Sequence, residues 1–163
     1  MKCFKDNQNR NWTIVVNVAA VKRVRSLLDI NLLDVVKLDE KNRPNVDLLE
    51  QLASDPVLLC DVIYCICKPE ADAQKISDED FGNAMGGDAI EHATTALLEE
   101  LVDFFPEAKR LVLRKLMNAG EKVKLQMEKA LKLELENPQL EKELEKQVTQ
   151  YITSSTSSPV SSE

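Results

Sequence analysis

Glycine and aromatic residues are scarce in this chain of 163 residues, which contains four glycines, one tryptophan, two tyrosines and four phenylalanines. So few of either argue against a sheet sandwich, whose strands are enriched in aromatic residues and are joined by glycine-rich turns. The hydrophobic content of 44% and the charged content of 30% are typical of a globular protein. The composition therefore predicts a mainly α-helical domain with a core rich in Leu, Val and Ala.

Long apolar runs are missing as well. No segment approaches the roughly 20 apolar residues that span a bilayer, and residues 1–6 lack the apolar region of a signal peptide. We therefore expect the protein to stay in the cytoplasm of the cell that makes it. The cysteines Cys3, Cys60, Cys65 and Cys67 have no metal-site spacing, which is typical of reduced thiols in a cytosol.

Histidine is represented by His92 alone, which limits acid–base and metal chemistry. It falls beside the apolar stripe of a predicted helix, where a boundary imidazole explains it better than a general base. The acids Asp78, Asp80 and Asp88 do not form a calcium loop, because Ala89 stands where the last ligand is needed. We therefore predict that the protein is not an enzyme and that it has no catalytic residue, cofactor or metal site.

Negative charge is concentrated in the middle of the chain. Residues 1–30 carry six Lys or Arg against two Asp or Glu, residues 31–106 carry five against seventeen, and residues 107–150 carry ten against eight. An acidic middle repels nucleic acid and anionic lipid, which bind clustered cations. A basic partner suits it better, and the basic strip at residues 22–25 leaves nucleic-acid binding as a minor alternative.

The start of the chain predicts a β-hairpin that leads into a helix. Residues 4–6 and 12–16 predict two strands, because the second run is β-branched and Asn in the connection tolerates positive φ. Asn17 can cap the first helix, since its side chain can accept a backbone N–H of the first turn. Residues 30–36 fit either a third strand or a helical turn.

Two helices are predicted to follow a polar loop at residues 39–44. Asn45 is expected to cap the shorter one, and Asp55-Pro56 to begin a central, buried one. Pro69 is expected to end the central helix, because proline disfavours α geometry in the residue before it. The apolar stripe of this central helix consists of Val57, Cys60, Ile63, Tyr64 and Cys67.

The most informative stretch is residues 76–106. Ser77 and Asp80 have the spacing of a capping box, and Asp88 is expected to cap the helix after the Gly86-Gly87 break. The apolar stripe of that helix consists of Ile90, Ala93, Leu97, Leu101 and Phe104. Its outward acids are candidates for binding a partner, and they are Glu91, Glu99, Glu100 and Asp103.

A long helix is predicted to begin near Pro106 and to continue to Asn137. At a rise of about 1.5 Å per residue it is too long for a small domain to cover, so part of it should project, or bend at Gly120. Its seam keeps near-heptad spacing and consists of Val112, Leu116, Ala119, Val123, Met127 and Ala130. Further candidate partner-binding residues on this helix are Leu113, Met117 and Leu125.

These elements predict a mainly α protein with a small N-terminal β-hairpin, an α+β helical bundle with a long projecting C-terminal helix. A compact hairpin-plus-helices domain is expected at residues 1–106, and an extended helical region at residues 107–152. Residues 153–163 are rich in Ser and Thr and are expected to be disordered.

The chain resembles the tail assembly chaperones of tailed phages and prophages over residues 1–106. The resemblance lies in the start at residues 4–24, the apolar helix at 59–69, the Ser-acidic helix start at 76–82 and the amphipathic helix at 88–105. It implies a non-enzymatic protein of the bacterial host cytoplasm that binds the tape measure protein. It also implies that the protein helps to bring this partner together with tail tube protein subunits.

Two other classes stay open on the residues alone. One is a structural component of the tail, and the other is a small regulatory or nucleic-acid-binding protein. The sequence also leaves open whether the chain forms a homo-oligomer.

Overall fold

The computed structural model describes residues 1–38 and 44–155. Helices account for 74% of the described residues and accompany an N-terminal antiparallel pair of strands, which confirms the prediction of a mainly α protein with a small hairpin. The chain divides into two units, Met1–Leu116 and Met117–Glu163. The boundary between the units falls within a long helix, after the expected domain boundary at residue 106.

The N-terminal hairpin consists of strand β1 (Lys2–Lys5) and strand β2 (Asn11–Ile14), paired antiparallel with Phe4 opposite Trp12. Side chains alternate along a strand, so the side chains of Trp12 and Ile14 enter the core together. The prediction of a hairpin is confirmed. The strands begin and end slightly earlier than the sequence pattern indicated.

Helix α1 (Val18–Leu28) follows the hairpin directly. Asn17 has an extended backbone, and its Oδ1 accepts a hydrogen bond from Ala20 N at 2.9 Å, which confirms the predicted cap. Val21 and Val24 are buried one turn apart. The helix therefore presents one apolar face to the core.

The ambiguous stretch after α1 forms a 3₁₀ turn, Leu32–Val35, with Leu32 and Val35 buried. A short pairing of β3 (Lys37–Leu38) with β4 (Pro44–Asn45) comes next. The expected polar loop lies largely at residues 39–43, outside the described residues.

Helix α2 (Asp47–Ser54) begins one residue later than a cap at Asn45 would require. Val46 occupies the cap position without a side-chain hydrogen bond, and the Oδ1 of Asn45 accepts from Asp47 N at 3.1 Å instead. The predicted cap at Asn45 is therefore wrong by one position, although its side chain still binds the first turn.

Helix α3 (Pro56–Gln74) is the central element of the first unit and packs against α1, α2, β2 and two later helices. The Oδ1 of Asp55 accepts from Val57 N and Leu58 N at 3.0 Å, and Pro56 occupies the first turn, where it needs no donor. Val57 is 69% exposed, so the stripe differs from the predicted one. The buried residues are Leu59, Val62, Ile63, Cys65, Ile66, Cys67 and Ala71.

The predicted end of this helix at Pro69 is wrong, because α3 continues through Pro69 to Gln74. A proline inside a helix leaves the carbonyl four residues earlier without its usual donor. Here that carbonyl belongs to Cys65, and Arg23 Nη1 donates to it at 2.8 Å and to the Ile66 carbonyl at 3.0 Å. The guanidinium from α1 replaces the missing N–H.

Helix α4 (Asp78–Asn83) and helix α5 (Asp88–Phe104) form the acidic stretch. The Ser77 and Asp80 capping box is present, as predicted. The predicted cap at Asp88 is not, because Gly87 occupies the cap position with φ of 52°, a conformation that favours glycine. The buried face of α5 consists of Ala89, Ala93, Ala96, Leu97, Glu100, Leu101 and Val102.

Helix α6 (Glu107–Leu135) runs through Gly120 without a break, and helix α7 (Pro138–Ser155) follows after two residues. Asn137 lies at the start of α7, and its Oδ1 accepts from Gln139 N at 3.0 Å. The helix extends three residues into the segment expected to be disordered, because residues 153–155 are helical. Residues 156–163 lie outside the described part of the chain.

Candidate binding surface

The hairpin turn is held by the buried carboxylate of Asp6. It accepts hydrogen bonds from Gln8 N at 2.9 Å, from Arg10 N at 2.9 Å and Arg10 Nε at 2.6 Å, and from Trp12 Nε1 at 2.8 Å. Burial opposes ionisation of Asp6, but these donors outweigh it and hold its pKa below the ordinary value. The Trp12 ring packs edge-on against Phe81 of α4, with 4.8 Å between ring centroids.

The same turn binds the segment that joins α4 to α5. Asn7 N donates to the Ala84 carbonyl at 3.0 Å, and Asn7 Nδ2 donates to the Gly86 carbonyl at 3.1 Å. Arg10 Nη2 donates to the Asp80 carbonyl at 3.2 Å. The acidic start of this stretch is therefore a structural joint between hairpin and helices, and only its outward carboxylates can meet a partner.

Glu100, expected on the outside of α5, is 5% exposed. Its Oε1 contacts the amino group of Met1, and its Oε2 accepts from Val16 N at 3.4 Å. This acid is buried because α5 packs against the hairpin, a contact that helical periodicity cannot reveal. The prediction that Glu100 lies at the surface is therefore wrong. Its carboxylate forms an internal ion pair with the amino group of Met1.

The other acidic candidates lie where a partner can reach them. Glu99 pairs with Lys2 at 2.8 Å, and Asp103 lies 3.7 Å from a guanidinium nitrogen of Arg114. Glu91 is exposed on the first turn of α5. Exposed ion pairs contribute only about 0–1 kcal/mol, so Glu99 and Asp103 can exchange their present partners for others.

The three apolar candidates on α6 have different environments. Leu113 is 1% exposed and belongs to the core of the first unit. Its prediction as a surface residue that binds a partner is therefore wrong. Met117 is half-buried, and Leu125 is 52% exposed. Of these three candidates, Leu125 alone is exposed.

Many side chains of the second unit are both apolar and exposed. Among its residues with a described environment, 117–137, 139–140 and 142–153, none is buried. We call the large exposed ones the distal apolar set. They are Val123, Leu125, Met127, Leu131, Leu133, Leu135, Leu144, Val148, Tyr151 and Ile152. Burying a large apolar side chain is worth roughly 1.5–3 kcal/mol, so a partner that covers this set can bind strongly.

The members of the distal apolar set on α6 lie on more than one face. Val123 and Met127 share a face with Ala130, whereas Leu125 and Leu135 lie on the other side of the helix at 3.6 residues per turn. Within the described residues, α6 and α7 do not pack side by side to cover these faces. The candidate surface is therefore two amphipathic helices with accessible apolar faces.

Sequence reasoning missed most of this surface, because Leu125 was the only member of the distal apolar set among the candidate partner-binding residues. A signal was present in α6. Val112, Leu116 and Ala119 recur eleven positions later as Val123, Met127 and Ala130. An eleven-residue period closely matches three turns of a straight helix, and it marks a maintained contact face more clearly than near-heptad spacing does.

Burial controls the reactivity of the thiols in α3. Burial raises the pKa of the Cys60 thiol to about 11 and that of Cys67 to about 12, so both stay protonated at neutral pH. His92, expected at the boundary of the core, is exposed. The described residues contain no group of three or more side chains placed to hold a metal ion.

Two arginines of the basic strip at residues 22–25 already form hydrogen bonds within the chain. Arg23 binds the Cys65 and Ile66 carbonyls, and Arg25 Nη2 donates to the side chain of Asn31. Lys22 is exposed. Phosphate binding would have to compete with the structural contacts of Arg23, so this strip is a poor nucleic-acid surface.

Within residues 1–38 and 44–155, no helix is both long enough and apolar enough to cross a membrane. Comparison with known protein families, with characterised proteins and with solved structures gave no significant match.

Proposed function

We propose that this chain is a non-enzymatic tail assembly chaperone of a phage or prophage, which binds the tape measure protein in the bacterial cytoplasm. The resemblance over residues 1–106 supports the choice of family, and the distal apolar set supports the means of binding. The tape measure protein is a long, aggregation-prone chain, so a chaperone for it needs an accessible apolar surface.

The observation that carries the proposal is the exposure of the distal apolar set on α6 and α7. An isolated helix of fewer than about 15 residues is marginal in water, and longer ones gain most of their stability from packing an apolar face. Helices such as α6 and α7 are suited to binding by laying that face against another helix. A partner with long amphipathic helices can cover several faces at once.

The exposed acids of the first unit can orient a bound partner. Glu91, Glu99 and Asp103 lie along α5, in the acidic middle of the chain. Complementary charge mainly increases the association rate and suppresses wrong partners. A basic segment of the tape measure protein is therefore the expected contact for this surface, with tail tube subunits as a further partner.

Co-expression with the tape measure protein of the same gene cluster tests the proposal. We expect a stable complex that keeps the tape measure protein in the supernatant, whereas the tape measure protein alone should aggregate. The double variant Leu125→Glu with Leu135→Glu places two charges on faces of α6 that are exposed, and it should weaken the complex at least about tenfold.

Val57→Glu is the matched control, because Val57 is an equally exposed apolar residue on α3 of the first unit. It should leave the complex intact. If the two wild-type proteins stay separate at low salt, the proposal fails. Detection of the chain in purified particles by mass spectrometry would instead favour a structural tail component.

A further inference from the structure

The apolar stripes of α6 and α7 have opposite charges along their edges. At 3.6 residues per turn, the α6 stripe, Ala119, Val123, Met127 and Ala130, is flanked by lysines on both sides. These lysines are Lys122, Lys124 and Lys129. The acids Glu121 and Glu128 fall on the far side of the helix, away from the stripe, whereas Glu134 follows Ala130 on the line of the stripe, at its end next to α7.

Helix α7 has the reverse arrangement. Its stripe, Leu140, Leu144, Val148 and Tyr151, is flanked by Glu143 on one side and Glu145 on the other. The lysines Lys142 and Lys146 fall on the far side. Charges that flank an apolar helix face decide which partner helix it accepts and in which orientation. The α6 stripe therefore matches an α7 stripe better than it matches a second α6.

We propose that a second copy of this chain covers these stripes, with α6 of each copy packed antiparallel against α7 of the other. Within the described residues, the two helices of one chain do not pack together, although only Glu136 and Asn137 separate them. Each chain offers one stripe of each kind. Two copies related by a two-fold axis near the α6–α7 junction can therefore cover both stripes of each chain, which gives a closed dimer.

The antiparallel arrangement brings particular charges together. Lys129 and Glu143 lie at comparable distances from the junction, on opposite sides of it. In antiparallel helices the corresponding flanks of the two stripes face each other, so Lys129 of one copy meets Glu143 of the other. The dimer holds two such pairs, related by the two-fold axis.

Sedimentation equilibrium of the full chain, without any tail protein, tests the proposal. We expect a dimer at micromolar concentration. The double variant Leu144→Glu with Val148→Glu introduces four charges into the two stripe contacts and should raise the dimer dissociation constant on the order of a hundredfold or more. Fluorescence of Trp12 reports that the first unit of each variant is folded.

Charge reversal tests the pairing itself. Lys129→Glu and Glu143→Lys should each raise the dissociation constant roughly three- to tenfold, because two pairs change per dimer. The combination of both substitutions should restore it to near the wild-type value. Lys132→Glu, which makes the same charge change on the far side of the α6 stripe, should have no effect.

A monomeric wild-type chain would overturn the proposal, as would a dimer that survives the Leu144→Glu and Val148→Glu variant. If the combined Lys129→Glu and Glu143→Lys substitutions do not restore the dimer, the antiparallel packing of α6 against α7 of the other copy is wrong. These outcomes are separable from those of the chaperone proposal, because the dimer is measured on the chain alone and Leu144 and Val148 lie on α7, whereas Leu125 and Leu135 lie on α6.

Discussion

Arg23 of α1 donates a hydrogen bond to the backbone carbonyl of Cys65 in α3, with 2.8 Å between Nη1 and the oxygen. Pro69 has no N–H to offer this carbonyl, which is otherwise an unsatisfied acceptor in a buried helix. One side chain therefore lets the central helix continue past its proline and fixes α1 against α3.

Arg23→Met should lower the free energy of unfolding by about 1–3 kcal/mol, because it leaves the Cys65 carbonyl without a donor while keeping most of the aliphatic stem. Urea unfolding followed by Trp12 fluorescence measures the change. The same substitution should cost less in a Pro69→Ala background, where the new alanine supplies the helical N–H. Lys22→Met is the matched control on the exposed side of α1 and should change stability by less than about 0.5 kcal/mol.

Local signals and long-range contacts differ in what the sequence can predict. The caps at Asn17 and Ser77 were predicted correctly, because a cap depends on the few residues that follow it. The end of α3 at Pro69 was wrong because Arg23, which compensates for the proline, lies far away in the sequence. Glu100 was assigned to the surface for a related reason, since the hairpin that covers it is remote along the chain.

The candidate surface was only partly predictable. Leu125 was identified because α6 is too long for a small domain to cover. This inference needs only the length of the helix. Leu113 lies on the same helix but is buried in the first unit, and no periodicity distinguishes a helix face that meets a core from one that does not. Burial depends on which elements pack together, and that is decided by the fold as a whole.

Asp6→Asn should destabilise the first unit by about 2–4 kcal/mol at neutral pH, because hydrogen bonds to a charged acceptor are the strong ones. The folded-state pKa of Asp6 lies below its ordinary value of 3.8. Its contribution is therefore fully present above about pH 4 and is lost as the pH falls through the folded-state pKa. Urea unfolding between pH 2.5 and 7 should show this loss in the wild type and a smaller slope in the variant.

Asp61→Asn is a comparison for Asp6→Asn, because the pKa of Asp61 is shifted in the opposite direction. Burial raises the pKa of Asp61, and the nearby carboxylates of Asp78 and Asp55 raise it further. A raised acid pKa means that the ionised form is disfavoured in the folded state, so its neutralisation should be neutral or slightly stabilising at pH 7. Equal losses in both variants would contradict the assigned role of Asp6.

Gly87→Ala should destabilise the first unit by about 1–3 kcal/mol, because φ of 52° is unfavourable for a residue with a Cβ atom. Space is not the limitation, since a Cβ at Gly87 would meet nothing within 4 Å. Gly82→Ala is the control, since it lies inside α4 at ordinary φ with equally open space, and alanine there should be neutral or stabilising by up to about 1 kcal/mol. Thermal unfolding of both variants measures the difference.

The four thiols should react with a disulfide reagent at very different rates in the native protein. Cys3 is exposed and should react first, whereas Cys65 and Cys67 are buried and should react only after unfolding. Burial also raises the pKa of Cys60 to about 11, which keeps that half-buried thiol slow at pH 8. Absorbance after addition of the reagent should show one fast thiol in buffer and all four in concentrated urea. Cys3→Ser should abolish the fast phase, and a second fast thiol in the native wild type would show that α3 is less well covered than its packing indicates.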